Sequence, residues 1–194
     1  KATAVVVSGN VSEEEVRDAI SDAFSAMPSG AKQGKPAVKE AQKRPALAME
    51  FRKTDQVHLA LGIRSCALYH EDIPALRVAT AVLGGGMSSR LFQKMRDELG
   101  ICYYVGASAE SFTDHGFLLI TAGVPLARLE EALRAILSEV RLLKQGGVSK
   151  EELTRVKEYL IGNLYLGLES SDSLAEFYGF QEIVHKPILR PDEV

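Results

Sequence analysis

The feature that most constrains the fold is the run Leu83-Gly84-Gly85-Gly86-Met87-Ser88-Ser89-Arg90-Leu91-Phe92, which leads through Arg96 and Gly100 to Tyr103-Tyr104. Three successive glycines allow positive φ and close backbone approach, and Ser88 or Ser89 can accept from the free N–H groups of the next helix. The spacing predicts a short helix over 88–99. Arg96 falls in its last turn, where a cation suits the helix dipole, and Gly100 is the left-handed residue that ends it. From Ile101 the residues are β-branched and aromatic, as in a strand. Arg96 and Tyr103 thus stand seven positions apart across a helix-to-strand corner, a geometry that can aim two hydrogen-bond donors at one point.

Plainer readings of the same residues stay open at this point. The turn lacks Gly-Lys-Ser, Gly-Lys-Thr and a Gly-x-Gly-x-x-Gly after a strand, so nothing marks it as a phosphate cradle. A helix-ending Arg is commonly solvated or ion-paired, and a strand Tyr commonly packs half-buried.

Around this motif the pattern is that of a folded α+β domain. The 194 residues suffice for a real core. A net charge of −3 argues against a nucleic-acid footprint. No apolar run approaches the roughly 18 residues that span a membrane, and no signal peptide opens the chain. Residues 2–8 read as a buried strand, and Ser12-Glu13-Glu14-Glu15 as a capping box opening a helix to about Met27. Pro28 to Pro45, poor in bulky apolar residues, reads as a linker. The body then offers strands near 46–52 and 56–63, a helix near 72–83, and strands near 101–110 and 115–124 that form a natural antiparallel pair.

From Pro125 onward the pattern is helical. Leu126, Leu129, Leu133, Ile136, Leu137, Val140 and Leu143 mark a core stripe that stops at Gly146-Gly147. Ser149-Lys150-Glu151-Glu152 caps a helix to about Glu169, and another spans 171–185. Because strands and helices are segregated, the expected fold is a largely antiparallel sheet with helices on one face. The chain opens inside one pattern, at Lys1, and stops at Arg190-Pro191-Asp192-Glu193-Val194, which reads as the first residues of a helix. The expectation is therefore a polypeptide cut on both sides.

No self-sufficient catalytic set is legible. His58, His70, His115 and His185 fall in strand, loop, hairpin and helix contexts with no i, i+4 pair, so no metal site is expected in this chain. There is no Gly-x-Ser-x-Gly elbow. Cys66 and Cys102 are too few for a disulfide framework and are most simply small packing residues. Glu151 and Glu152 sit where the helix dipole alone would place carboxylates.

Five stretches stand out together: Gln56-Val57-His58-Leu59-Ala60-Leu61-Gly62, the run Leu83 to Phe92, Arg96 to Tyr103, Gly116-Phe117, and Glu151-Glu152-Leu153 to Lys157. Together they resemble the second half of the pitrilysin and insulinase family of inverted-motif zinc peptidases, which includes processing peptidases, and in particular bacterial processing-peptidase-like proteins. The resemblance implies a two-half clamshell in which the first half carries the zinc ligands and the second closes over an unstructured peptide. On this reading residues 1–27 are the last strand and helix of the zinc-binding half, 28–45 the linker, and 46–194 most of the second half.

Arg96 and Tyr103 match, by position, the Arg and Tyr that contact the substrate carbonyl in family members. Gly84, Gly85 and Gly86, with Ser88 and Ser89, resemble a shortened substrate-facing Gly-rich loop. The implied cofactor is zinc in the complete enzyme, held by the missing half, and this chain alone is expected to be inactive. The implied partners are the zinc-binding half, in the same polypeptide or a separate subunit, and the peptide. A neighbouring copy that receives the 2–27 unit would make a homo-oligomer. A degenerate member serving as a structural or partner-binding subunit is the alternative. The compartment implied is bacterial cytoplasm or periplasm.

Overall fold

The computed structural model describes residues 3–28, 30–31, 34–184 and 186–194. The chain divides into two compact units, residues 37–160 and residues 1–36 with 161–194.

In the 37–160 unit, three strands form an antiparallel sheet in the order β1-β3-β2: β1 (Val57–Ser65), β2 (Tyr104–Ser111) and β3 (Gly116–Val124). The expected hairpin is present as β2–β3, and β1 flanks β3 with Leu59 opposite Ala122 and Leu61 opposite Ile120. The period of two sorts the side chains. Leu59, Leu61, Val105, Ala107, Ile120 and Ala122 face the core, while His58, Ala60, Gly62, Tyr104 and Ser108 are exposed on the other face.

Two helices, α2 (Ile73–Gly84) and α4 (Leu129–Gly146), supply Leu83, Ala132, Ala135 and Ile136 to the core face. This is the one-sided α+β arrangement read from the sequence. Leu91, Met95, Ile120 and Ile136 are fully shielded from water. Each such side chain contributes about 1.5–3 kcal/mol relative to exposure. A second cluster joins Val82 of α2 to Val156 of α5 (Lys150–Gly167).

The caps hold in part. Gly147, at φ +67°, ends α4 with its N–H on the Leu143 carbonyl at 3.0 Å. Ser149 Oγ accepts the Glu152 N–H at 3.1 Å, opening α5. Along α4 the buried line is Ala132, Ala135, Ile136 and Glu139. Leu126 is instead 74% exposed, because residues Leu126–Arg128 form a 3-10 turn before the helix begins.

Two expected strands are absent. Residues 46–52 form no strand, and Leu47, Met49 and Phe51 are 88%, 89% and 95% exposed. Residues 3–8 are likewise unpaired, while Ala2 lies outside the described residues. Alternation predisposes a segment to pair, but a strand exists only where another backbone offers its edge. The segment 28–45, read as a linker, is anchored near its middle. The Val38 N–H donates to Asp114 Oδ2 at 2.9 Å, and Arg64 reaches both Glu40, at 3.1 Å, and the Gln42 carbonyl.

The other unit contains α1 (Glu13–Ala23), the end of α5 and α6 (Ser171–Ile183). Ser12 precedes α1 without a side-chain cap, so the expected capping box does not form. Ser170 Oγ does cap α6, accepting from the Ser173 N–H at 3.1 Å. His185, at the expected end of that helix, lies outside the described residues. Gln181 is buried and clamps the following segment through both Leu189 backbone groups. Pro191–Glu193 form a 3-10 turn, with the Arg190 N–H on Glu193 Oε2 at 2.8 Å.

Candidate functional site

The glycine turn follows directly from α2 because Gly84 is where that helix touches the sheet. A Cβ there would lie 2.1 Å from the Ala107 backbone nitrogen. Gly85 is similarly tight against Ala81, and Gly86 has φ +132° beside the Tyr159 ring. Neither serine caps the next helix by its side chain. Ser89 is buried and its hydroxyl donates to the Gly86 carbonyl at 2.6 Å, closing the turn on itself. Gly86, Met87 and Ser88 are the exposed part of the turn.

The expected helix over 88–99 is a single α-turn, α3 (Arg90–Phe92), that widens into a π-helical segment over Gln93–Glu98. Such widening inserts a residue into the helix and turns the following side chains. Leu91 and Met95 stay buried while Arg96 is exposed. Gly100 adopts φ +60°, the left-handed end read from the sequence, and the Ile101 N–H returns to the Met95 carbonyl at 2.9 Å. Arg90 fastens this segment to α5. It donates to both carboxylate oxygens of Glu152, at 2.9 and 2.6 Å, and to the Gly147 carbonyl at 2.8 Å. That fork holds the Glu152 carboxyl below the usual carboxylate range.

Arg96 and Tyr103 are brought together. Arg96 Nη1 donates to the Tyr103 carbonyl at 2.5 Å, and its guanidinium lies 5.5 Å from the centre of the Phe92 ring. Among the described residues no carboxylate is ion-paired with Arg96. Tyr103 and Tyr104 are 62% and 43% exposed. The Tyr103 N–H donates to the Gly123 carbonyl at 2.9 Å, while Tyr104 is the register partner of the same glycine. Two residues therefore face one, as in a β-bulge, and strict alternation cannot separate the two tyrosines here. Cys102 packs against the core, and burial pushes its thiol up although Arg96 pulls the other way.

A further cluster escaped sequence reasoning. Across Gly123, His58 Nδ1 and the Tyr104 hydroxyl are 3.0 Å apart, with their rings stacked at 6.1 Å. The signal was present in β1, whose alternation sets His58 opposite in face to Val57 and Leu59, but its partner comes from a strand 46 residues away. Among the described residues no three His, Cys, Asp or Glu side chains converge to hold a metal. The residues present do not fit a zinc ion.

Residues 1–160 match the family described as the peptidase M16 inactive domain. The chain belongs to this family. The resemblance drawn from the Gln56 and Leu83–Tyr103 motifs is therefore borne out. This M16 inactive domain is 38% identical over 133 residues to the uncharacterized zinc protease YmxG of Bacillus subtilis, covering 69% of the chain and 32% of the relative. It is 31% identical over 182 residues to an uncharacterized zinc protease of Mycobacterium leprae, covering 92% and 41%. It shares its fold with the crystal structure of a protease from Helicobacter pylori, with a TM-score of 0.82 and 22% identity over 92% of this chain and 44% of that one. The chain thus spans about a third to two fifths of the length of these curated relatives.

Proposed function

We propose that this M16 inactive domain is the non-zinc-binding half of a zinc-dependent endopeptidase. It closes over an unstructured peptide and presents Arg96 and Tyr103 to the carbonyl of the scissile bond. The observation that carries this reading is the placement of Arg96. It is an exposed cation without a carboxylate partner among the described residues, tied to the Tyr103 carbonyl and backed by Phe92. A guanidinium neutralised by no acid keeps its charge for a substrate, and anchoring lowers the reorganisation needed when negative charge develops on the carbonyl oxygen. Tyr103, exposed one chain corner away, offers a phenol as second donor.

In this reading the zinc belongs to the partner half, and no step is assigned to it in this chain. The turn from Gly84 to Ser89 serves the peptide as a unit. Gly84, Gly85 and Ser89 set its shape, and Gly86 and Ser88 form its open edge.

The test is cleavage of an unstructured fluorogenic peptide by the full-length parent, with and without a zinc chelator. Chelator-sensitive cleavage that falls about 10²-fold in Arg96→Ala, and falls as well in Tyr103→Phe, is the expected result. Full activity in Arg96→Ala refutes the role of Arg96. Absence of cleavage in every form favours a structural or partner-binding subunit.

A further inference from the structure

The exposed sheet face carries a polar cluster that the Arg96–Tyr103 reading leaves unused. His58 of β1 and Tyr104 of β2 occupy one rung of the sheet on either side of Gly123 and meet above it at 3.0 Å. Gly123 makes this meeting possible. A Cβ at that position would lie 2.5 Å from the Tyr104 ring and 2.7 Å from Gln56 Oε1. The Tyr104 ring thus lies over Gly123, with the Gln56 carboxamide beside it and the His58 imidazole against its hydroxyl. Towards the hairpin the same face carries Ala60 and Gly62 on β1, Gly106 and Ser108 on β2, and Thr121 and Leu119 on β3 between them.

We propose that Gln56, His58 and Tyr104 form a subsite that holds the main chain of an extended peptide next to the carbonyl served by Arg96 and Tyr103. The proposal rests on that reading of the site. Three observations support it.

The first is hydrogen-bonding capacity. His58 spends Nδ1 on Tyr104, and its Nε2 has no partner among the described residues. If the phenol donates to Nδ1, Nε2 carries the ring proton and donates to a carbonyl. If Nδ1 donates to the phenol, Nε2 accepts from a peptide N–H. Either tautomer suits a polypeptide backbone, which alternates the two groups. The Gln56 carboxamide supplies both a donor and an acceptor beside it.

The second is adjacency. Tyr103 donates to the Gly123 carbonyl, and Tyr104 lies opposite the same residue, so the subsite and the Arg96–Tyr103 corner share one backbone junction. An extended chain advances about 3.3 Å per residue, which places the subsite within a few residues of the scissile bond.

The third is orientation by packing. The Tyr104–His58 stack fixes both rings, so little side-chain freedom is lost on binding.

His58 and Tyr104 act here as main-chain-binding contacts, and Gly123 as the positioning residue over which the Tyr104 ring packs. The test is binding of a fluorescein-labelled, unstructured peptide of about 20 residues to the full-length parent, read by anisotropy with a zinc chelator present to prevent cleavage. His58→Ala is expected to weaken binding about tenfold, and Tyr104→Phe, which removes only the hydroxyl, about threefold. His58→Gln should recover part of the loss, because it restores a donor and an acceptor. Ser108→Ala, on the same face near the hairpin, should bind as the unsubstituted protein does. Unchanged affinity in His58→Ala overturns the subsite, as does failure of the unsubstituted protein to bind the peptide. The kcat of Arg96→Ala with zinc present decides the underlying reading separately, since loss of the subsite moves KM while loss of the carbonyl donor moves kcat.

Discussion

Replacing Gly84 by Ala tests the claim that the glycine turn is first a packing device. An added Cβ would sit 2.1 Å from the Ala107 nitrogen and 2.7 Å from both the Ala107 Cβ and the Gly106 carbonyl carbon. Ordinary contact begins near 3.4 Å, so the end of α2 and the start of β2 must separate by more than 1 Å. None of these atoms is the tip of a flexible side chain, so no rotamer change relieves the clash. Overpacking of this kind costs about 1–3 kcal/mol, and the obstructing backbone puts Gly84 at the upper end. The better helix propensity of Ala returns about 0.5–1 kcal/mol. A net loss of about 2 kcal/mol follows, or about 4–8 °C in Tm for a chain of this size. The assay is urea unfolding followed by far-UV circular dichroism. Gly162→Ala is the comparison, because a Cβ at that exposed interior position of α5 meets nothing within 4 Å. It should stabilise by about 0.5–1 kcal/mol. If Gly84→Ala unfolds within about 0.5 kcal/mol of the original protein, the close helix–strand approach is not what selects glycine.

Two other predictions concern the same motif. Gly86→Ala should cost about 1–3 kcal/mol in urea unfolding, since φ +132° strains any L-side chain and the new methyl group meets the Tyr159 ring at 3.3 Å. Glu152→Gln should cost about 1–2 kcal/mol at neutral pH, by stripping the largely buried Arg90 of its counter-charge. The Glu152 carboxyl is held below its ordinary value by hydrogen bonding to Arg90, so its contribution is complete above the unfolded pKa of about 4.3. It is lost as pH falls through the lower folded value. The gap in unfolding midpoint between the two proteins should therefore be widest at neutral pH and close under acid. A gap that stays constant down to pH 3 would show that the charge of Glu152 is not what matters.

The Arg96–Tyr103 corner was legible in the sequence to the extent that its chemistry is local. Arg96, Gly100 and Tyr103 could be placed because a helix end, a left-handed glycine and a strand start each leave a mark within a few residues. The route between them could not be seen. The π-helical widening over Gln93–Glu98 keeps Leu91 and Met95 buried while Arg96 reaches the Tyr103 carbonyl, and it depends on how that segment packs. Ser89 shows the same limit. Its position suggested a helix cap, but its hydroxyl turned inward to the Gly86 carbonyl once the turn was buried.

What the sequence by itself determined was the set of elements whose driving force is local or periodic. These are the β2–β3 hairpin, helices α2, α4, α5 and α6, the Ser149 cap, and the Gly100 and Gly147 stops. Capping, left-handed φ and amphipathic spacing act over a turn or two, so the residues that matter are neighbours in the chain. Tertiary structure decided everything that needs a distant partner. It paired β1 with β3 but left 46–52 exposed without a strand. It made Gly84 a contact with β2, joined Arg90 to Glu152 from 62 residues away, and set His58 against Tyr104 across a glycine. Alternation and charge give a segment the capacity to pair, but a hydrogen bond or close contact forms only when folding delivers its complement to within a few ångströms.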